Sequence, residues 1–390
     1  MDLPAGLSVP CPLPPAGEPP GPFPEDGENP AYLSRQIITY LGNKRALLGF
    51  IGRGVGMVRR RLGKARLSLF DVFSGSGIVA RYFKRFSNLL LVNDLERYAE
   101  LINRCYLSNR GELDLPVLEK IYGELMGELE GNPLVPGLIT GLYAPEDDDR
   151  IQPGERVFYT RRNASYIDTA RGLIDHIDEK YRIYFLAPLL SEASIHSNTS
   201  GVFKGFYKNR DTGVGQFGGR NRDSLARIRG SIRLPFPVFS NFDCDCVVYR
   251  GDSNRIARTA PEVDLAYMDP PYNQHPYGSN YFMLNLIIEN KRPPALSRVS
   301  GIPEGWNRSP YNKRRSAARA LADLAANIKA KYVLVSFNSE GIIPFEEMTE
   351  LLKKIGRLEV LETAYNAFRG SRNLSKRGIH VKEYLFLVEK

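Results

Sequence analysis

Short apolar runs alternate with helical apolar spacings along most of the chain. The run at 67–73 has the continuous apolar character of a buried strand, and it stops at the small residues of 74–77. Apolar residues then recur at helical spacing over 78–83, and a second apolar run at 89–92 ends in the polar segment 93–96. A strand, a glycine turn, a helix and a second strand in this order predict a right-handed parallel unit of an α/β sheet.

Later segments extend this predicted sheet. Four more apolar runs are predicted as strands, at 246–249, 263–268, 332–337 and 381–388. The stretch from residue 97 to about 243 has helical and loop character with little strand signal, so we interpret it as an insertion into the sheet domain.

Differences in composition and apolar periodicity along the chain predict four parts. Residues 1–32 are rich in proline and glycine and have no apolar periodicity, which predicts a disordered Pro-rich tail. Residues 33–109 are expected to form the first part of the sheet domain. Residues 110–243 are expected to form the insert, and residues 244–390 the second part of the sheet domain.

Composition limits the class of protein. The 390 residues are 43% hydrophobic and 25% charged, which is typical of a globular protein and excludes wholesale disorder. No apolar stretch is long enough to span a membrane, and the opening residues lack the pattern of a secretory signal. Four cysteines do not make a disulfide scaffold, so we expect a cytoplasmic protein. The net charge of +9 is compatible with a polyanionic partner but does not establish one.

The glycine turn and the following acidic strand end suit a nucleoside ligand. Small residues at 74–77 let the backbone approach a ligand closely, and the Asp94 carboxylate can accept both hydroxyls of a ribose. The glycines lack the G-x-G-x-x-G spacing that cradles a pyrophosphate, which disfavours NAD and favours S-adenosylmethionine. A tight turn in any α/β protein would leave the same pattern.

The tetrad Asp269-Pro270-Pro271-Tyr272 is more specific, because it directly follows the apolar run 263–268. An aromatic amine is a poor nucleophile, since its lone pair is delocalised into the ring. A carboxylate and a free backbone carbonyl that accept hydrogen bonds from one NH2 group would favour a pyramidal nitrogen poised for attack. Tyr272 offers a flat face for a base to stack on.

These motifs together resemble the adenine-specific DNA methyltransferases that use S-adenosylmethionine and carry a recognition insert before the catalytic motif. The resemblance implies a Rossmann-like methyltransferase sheet with an inserted, mostly helical target-recognition domain. It implies that Asp269 to Tyr272 receive a flipped adenine and that Asp252 lies near the cofactor's adenine. The residues that it assigns to the cofactor are Tyr40, Lys44, Asp71, Phe73, Gly75, Ser76, Gly77, Asp94, Asp252 and Asp269.

The insert supplies candidate contacts to double-stranded DNA. Cations that bind phosphates and amides or guanidinium groups that recognise base edges occur together in its second half. The predicted DNA-binding residues are Asn198, Lys204, Tyr207, Lys208, Arg210, Gln216, Arg220 and Arg222. A second basic patch at 306–315 follows the catalytic tetrad and is expected to clamp the backbone. A solvated basic surface is the alternative explanation of both.

The resulting hypothesis is methyl transfer to N6 of adenine by a monomer, in partnership with a separate restriction endonuclease and without a metal. A nucleophilic cysteine for cytosine C5 chemistry is missing, because the only Pro-Cys pair, Pro10-Cys11, lies in the tail. Transfer to cytosine N4, an RNA base or a protein glutamine stays open. So does a catalytically idle DNA-binding protein on the same scaffold.

Overall fold

A seven-stranded mixed sheet organises the chain in the computed structural model, which describes residues 27–219, 224–366 and 380–390. The strand order across the sheet is β3-β2-β1-β4-β5-β7-β6. The strands are β1 (Leu67–Asp71), β2 (Ser87–Asp94), β3 (Asp245–Arg250), β4 (Val263–Met268), β5 (Ala330–Asn338), β6 (Arg357–Asn366) and β7 (His380–Glu389).

Strands β1 to β5 are parallel, and β7 is antiparallel to both of its neighbours. Strand β1 is central, where Leu69 pairs with Leu90 of β2 and Leu265 of β4. The carboxyl ends of β1, β2 and β4 therefore meet at one edge, which is where open parallel sheets bind ligands. The predicted α/β fold with a Rossmann-like sheet is confirmed.

Helices cover both faces of the sheet. The described residues form α1 (Pro30–Ser34), α2 (Leu48–Leu62), α3 (Ile78–Phe83), α4 (Arg97–Tyr106), α5 (Leu115–Gly131), α6 (Leu138–Tyr143), α7 (Arg161–Asp175), α8 (Glu179–Ile195), α9 (Leu225–Arg229), α10 (Ser253–Thr259), α11 (Tyr277–Asn280), α12 (Phe282–Glu289), α13 (Arg314–Asn327) and α14 (Phe345–Lys353).

Alternate residues of the strands enter two separate cores, as the pleat of a sheet requires. Leu69 belongs to one core and its neighbour Phe70 to the other. The insert contributes to the first core: Tyr143 and Phe185, from α6 and α8, are fully buried in the same cluster as Leu69. The insert is thus continuous with one face of the sheet.

The amino-terminal boundary differs from the prediction. Residues 30–32, which the proline-rich texture placed in a disordered tail, belong to α1, whose start is capped by the Asn29 side chain. Tyr32 is fully buried, and its hydroxyl donates to the backbone oxygen of Tyr106 at 2.6 Å. The prediction failed here because a five-residue helix shows no periodicity of its own. Residues 1–26, the rest of the predicted tail, lie outside the described residues.

Strand β6 was missed in the sequence. Its sequence alternates polar and apolar residues, and Val360 near its middle remains 36% exposed, as expected of a strand at the sheet edge. It pairs with β7 in antiparallel register along its whole length and stands last in the strand order. The pattern of a buried strand does not fit such a segment, because only one of its faces meets a core.

Three further sequence expectations concern membranes, cysteines and metals. Within residues 27–219, 224–366 and 380–390, no helix is long and apolar enough to cross a membrane. Cys244 and Cys246 lie with their sulfurs 3.4 Å apart, and both are free thiols, as is Cys105. In those same ranges, no group of three or more acidic, histidine or cysteine side chains is arranged to hold a metal ion.

We expect Tyr32→Ala to lower the free energy of unfolding by about 3–5 kcal/mol, because it empties a fully buried aromatic site. Val135→Ala is the control, since Val135 is 64% exposed and its loss should change stability by no more than about 0.5 kcal/mol. Urea denaturation measures both values. Equal effects of the two substitutions would contradict the packing of α1 against the core.

Candidate active site

A cleft opens at the sheet edge where β1, β2 and β4 end. It holds about 750 Å³ of empty space, its mouth included, and it is lined by residues from the glycine turn, the acidic strand end and the tetrad. The lining residues are Tyr40, Leu41, Gly42, Phe73, Asp94, Leu95, Glu96, Asp252, Ser253, Asp269, Pro271, Tyr272, Tyr277, Gly278, Asn307, Ser309, Tyr311 and Asn312.

The glycine turn after β1 is held by the acidic end of β2. Asp94 accepts hydrogen bonds from the backbone N–H of Gly75 at 2.8 Å and of Glu96 at 2.9 Å. Gly75 has φ of +51°, and a side chain there would bring a Cβ within 2.6 Å of the Tyr40 ring. Burial raises the pKa of Asp94, although these backbone hydrogen bonds oppose the shift. The turn therefore brings bare backbone close to a carboxylate and an aromatic ring.

Asn93 connects the ends of three strands beneath this turn. Its side-chain amide donates to the backbone oxygens of Val72 and Gly251, both at 3.2 Å. Asp252, which follows Gly251, caps α10 by accepting from the N–H of Arg255 at 3.0 Å. Asp252 lines the cleft wall.

Some predicted cofactor residues lie behind the cleft wall. Asp71 is 1% exposed, and neither of its carboxylate oxygens has a hydrogen-bond partner of normal geometry among the described residues. Burial, followed by the nearby charges of Asp269 and Asp94, raises the pKa of Asp71 well above its usual value. Lys44, Gly75, Ser76 and Gly77 do not line the cleft either. The predicted cofactor residues that line it are Tyr40, Phe73, Asp94, Asp252 and Asp269.

The tetrad at the end of β4 faces the same cleft from the opposite side. The Asp269 side chain is 16% exposed, and Pro271 and Tyr272 line the wall beside it. Pro270 is buried. The Tyr272 ring packs edge-on against Phe337, with ring centroids 5.9 Å apart. The backbone oxygen of Tyr272 accepts a hydrogen bond from the N–H of Ile342.

A buried cation lies directly behind Asp269. The Lys44 ammonium is 3.2 Å from an Asp269 carboxylate oxygen and 2.7 Å from Glu383 of β7. Burial alone would lower the pKa of Lys44, but Asp269, the Tyr272 phenol and Glu383 together raise it well above its usual value. Burial raises the pKa of Asp269 to about 7, with Lys44 lowering it and Glu383 raising it further.

Two tyrosines after the tetrad hold the segment that carries Tyr40. The Tyr281 hydroxyl accepts from the backbone N–H of Leu41 at 2.8 Å, and the Tyr277 hydroxyl donates to the Leu41 oxygen at 3.1 Å. Tyr40 stacks on both rings, with centroids 5.1 Å from Tyr277 and 4.9 Å from Tyr281. This stack of tyrosine rings forms one wall of the cleft and joins the segment that carries Tyr40 to the segment after the tetrad.

Sequence reasoning missed several lining residues. Tyr277 and Glu96 lie near recognised motifs, and the spacing of tyrosines after the tetrad was an available signal for Tyr277. Tyr311 and Asn312 had no such signal. They reach the cleft because the Asn312 side chain donates to the backbone oxygen of Asn273 at 2.9 Å, which lays this segment over the loop after the tetrad. Glu383 was missed as well, because a charged residue beside Lys382 in β7 gives no sign in the sequence that its side chain is buried.

The predicted DNA-binding residues of the insert separate into three groups. Lys204, Lys208 and Arg210 are exposed, and Tyr207 and Gln216 are partly exposed, so all five are available at the surface. Arg220 and Arg222 lie outside the described residues.

Asn198 does not fit its predicted role. It is fully buried, its amide donates to the backbone oxygens of Val157 and Gln216, and its oxygen accepts from the N–H of Gly218. It supports the loop from inside and does not face a nucleic acid.

The second basic patch borders the cleft. Arg308, Lys313, Arg314 and Arg315 are exposed, and Arg308 stacks over the Trp306 ring at 4.4 Å. Because the intervening residues line the cleft wall, these cations stand at its rim.

Comparison with known proteins gives a consistent result. The family model of the D12 class N6 adenine-specific DNA methyltransferases matches residues 40–351. The chain is 27% identical over 363 residues to the type II methyltransferase M.NlaIII of Neisseria lactamica, covering 90% of this chain and 99% of that protein. It is 27% identical over 358 residues to the type II methyltransferase M.CviAII of Paramecium bursaria Chlorella virus 1, covering 90% and 98%. It is 26% identical over 369 residues to the modification methylase StsI of Streptococcus sanguinis, covering 90% of this chain and 52% of that longer protein.

We expect Gly42→Ala to destabilise the protein more than Gly213→Ala, by about 1 kcal/mol. Both glycines have a similar positive φ, +73° and +70°, so both substitutions strain the backbone. Only at Gly42 would the new Cβ also collide with the Tyr272 hydroxyl, at 2.6 Å. Urea denaturation of both variants separates the cost of backbone strain from that of the collision. Equal losses of unfolding free energy would contradict the close approach of Gly42 to Tyr272.

Proposed function

The chain belongs to the D12 class of N6 adenine-specific DNA methyltransferases, and on this premise we propose that it transfers a methyl group from S-adenosylmethionine to N6 of an adenine flipped out of double-stranded DNA. The family resemblance drawn from the sequence motifs is confirmed by the match over residues 40–351. The observation that carries the mechanistic proposal is that Asp94 and Asp269 line one cleft from opposite sides.

The cleft fits S-adenosylmethionine by its chemistry. Asp94 offers a carboxylate for ribose hydroxyls, and the Tyr40 ring, which packs against the bare backbone of Gly75, lines the same cleft. Phe73 and Tyr311 pack edge to face at 5.0 Å on the wall near Asp252, which suits a planar base. When bound, the cofactor supplies the electrophilic methyl group.

The tetrad supplies the remaining chemistry. We propose that Asp269 and the backbone oxygen of Pro270 accept the two hydrogens of the adenine NH2 group, which directs the nitrogen lone pair toward the methyl donor. Asp269 acts in its ionised form, because a carboxylate stabilises the positive charge that develops on N6 more strongly than the neutral acid does. The methylated nitrogen then loses one proton, to the carboxylate or to solvent. Tyr272 would stack on the flipped base, with Phe337 fixing the plane of its ring.

Exposed cations on two surfaces are available for the DNA backbone. We propose that the insert loop bearing Lys204, Lys208 and Arg210 contacts the duplex on one side and that the patch at 306–315 contacts it on the other. The insert, residues 110–243, would then be the target-recognition part of the protein.

The biological setting belongs to the same proposal. Relatives named as type II methyltransferases and modification methylases favour a modification enzyme. We propose that it acts as a monomer beside a separate restriction endonuclease. The alternatives of another amino acceptor and of an idle DNA-binding protein are outcomes of the methyl-transfer assay.

We expect Asp269→Ala to reduce methyl transfer by about a hundredfold to ten thousandfold while DNA binding stays within about twofold, because the lost carboxylate would contact the reacting amino group and not the DNA backbone. The assay combines purified protein, methyl-labelled S-adenosylmethionine and duplex DNA, followed by analysis of the modified nucleosides. Glu119→Ala, an exposed position on α5, is the control and should retain activity.

Each outcome of this assay has a definite meaning. N6-methyladenine from the unaltered protein supports the proposal, whereas label in N4-methylcytosine or in RNA alone identifies a different acceptor. Cofactor binding without any transfer would contradict enzymatic activity.

We expect the triple variant Lys204→Ala, Lys208→Ala, Arg210→Ala to weaken DNA binding at all sequences and to lower the slope of log K against log salt by about 2 to 3. Lys120→Ala, which removes one exposed cation from α5, should leave both quantities unchanged. Fluorescence anisotropy with labelled duplex at several salt concentrations measures them. An unchanged slope in the triple variant would place the DNA elsewhere on the surface.

A further inference from the structure

We propose that Glu383 is a positioning residue for methyl transfer, which acts through Lys44 to hold and charge-balance the Asp269 carboxylate. The proposal rests on the function proposed above, but its central measurement does not require turnover. Neither the tetrad nor the cofactor motifs include Glu383, which lies more than a hundred residues beyond them on β7.

The geometry places Glu383 at the end of a short buried chain of polar contacts. Glu383 is fully buried, and one of its carboxylate oxygens accepts from both the Lys44 ammonium and the Ser336 hydroxyl, each at 2.7 Å. The same ammonium lies 3.2 Å from the buried oxygen of Asp269. The Asp269 side chain stays 16% exposed toward the cleft, so Lys44 occupies one side of the carboxylate and leaves the other for a substrate.

Charge balance explains why a second carboxylate is needed. Lys44 alone would neutralise Asp269 in a low-dielectric pocket and make it a weak acceptor for a group that becomes positive during the reaction. With Glu383 present, two carboxylates share one ammonium, so the cluster carries a net charge of −1 when all three groups are ionised. The negative charge therefore stays available at Asp269.

The strand arrangement makes this position rigid. Glu383 lies on β7 between β5 and β6 and pairs with Asn338 of β5, while Ser336 projects from β5 itself. Lys44 precedes α2, and its ammonium reaches Glu383 on the sheet. The position of the ammonium beside Asp269 is thus set by a side chain in the interior of a paired strand.

Other groups also face Asp269. Asp71 on β1 contributes a like charge, and the phenols of Tyr267 and Tyr277 interact with Asp269 electrostatically. These groups are unchanged when Lys44 or Glu383 is substituted, so they shift the pKa of Asp269 equally in the unaltered protein and in both variants. Removal of Lys44 and removal of Glu383 are expected to shift the pKa of Asp269 in opposite directions.

The test is a direct titration of the Asp269 carboxyl by NMR in the full-length protein with labelled aspartate, assigned with Asp269→Asn. In the unaltered protein we expect a pKa of about 7, since burial raises it. Glu383→Gln removes a negative neighbour and should lower this pKa by about one unit, whereas Lys44→Gln removes a positive neighbour and should raise it by about one unit. Glu362→Gln, an exposed glutamate on β6, is the control and should leave it unchanged.

The single-turnover rate of methyl transfer should follow the same titration. Because Asp269 must be ionised, the rate falls as the pH drops through its pKa, so the acid limb moves to lower pH in Glu383→Gln and to higher pH in Lys44→Gln. We also expect the plateau rate of Glu383→Gln to fall about tenfold. The remaining Lys44–Asp269 pair has no net charge, so its carboxylate is a weaker hydrogen-bond acceptor for the amino group.

The results distinguish this proposal from the proposed function. Opposite shifts of the carboxyl titration support it, and unshifted titrations in both variants overturn it even if the unaltered protein methylates adenine. If the unaltered protein transfers no methyl group, the proposed function fails, yet the NMR titration still decides the role of Glu383. If Glu383→Gln does not fold, Glu383→Asp replaces it, because the shorter side chain withdraws the carboxylate from Lys44; a lowered pKa of Asp269 supports the proposal and an unshifted one overturns it.

Discussion

A buried ammonium between two carboxylates is the interaction on which the rest of the site depends. Lys44, Asp269 and Glu383 come from the first motif, from the end of β4 and from the closing strand β7, and both carboxylates lie within 3.2 Å of the ammonium. Removing the ammonium would leave two buried carboxylates without their partner, at a cost of about 3–5 kcal/mol. The same contact therefore joins distant parts of the chain and determines the charge that surrounds the Asp269 carboxylate.

Around this centre, the insert and the sheet behave as one body. The core on one face of the sheet continues into the insert helices, and the loop that carries the exposed cations is tied to the region after the tetrad. There, the N–H of Phe203 donates to the oxygen of Asn280 at 2.7 Å, and the Ser300 hydroxyl donates to the oxygen of Lys204 at 2.7 Å. Cations that contact a duplex would thus be held at a defined distance from the cleft in which we propose that the base binds.

Differences between sequence and structure have physical causes. Helix α1 was hidden in proline-rich sequence because its stability comes from burying Tyr32 against the main core. Asn198 has the side chain of a base reader, but its amide is used by the backbone of its own loop. An exposed and a buried asparagine look the same in a sequence, since the distinction lies in residues that are distant along the chain.

The sequence by itself determined the fold class, most of the strands, the order of the motifs and the family, because apolar runs and the tetrad are local patterns. It also located Asp94 and Asp269, since residues at the carboxyl ends of parallel strands must meet at one edge. Only the tertiary structure decided what lies behind them. The partnership of Lys44 with Glu383 and the contact of two tyrosines with Leu41 arise from strand order and packing, which bring together residues separated by more than two hundred positions.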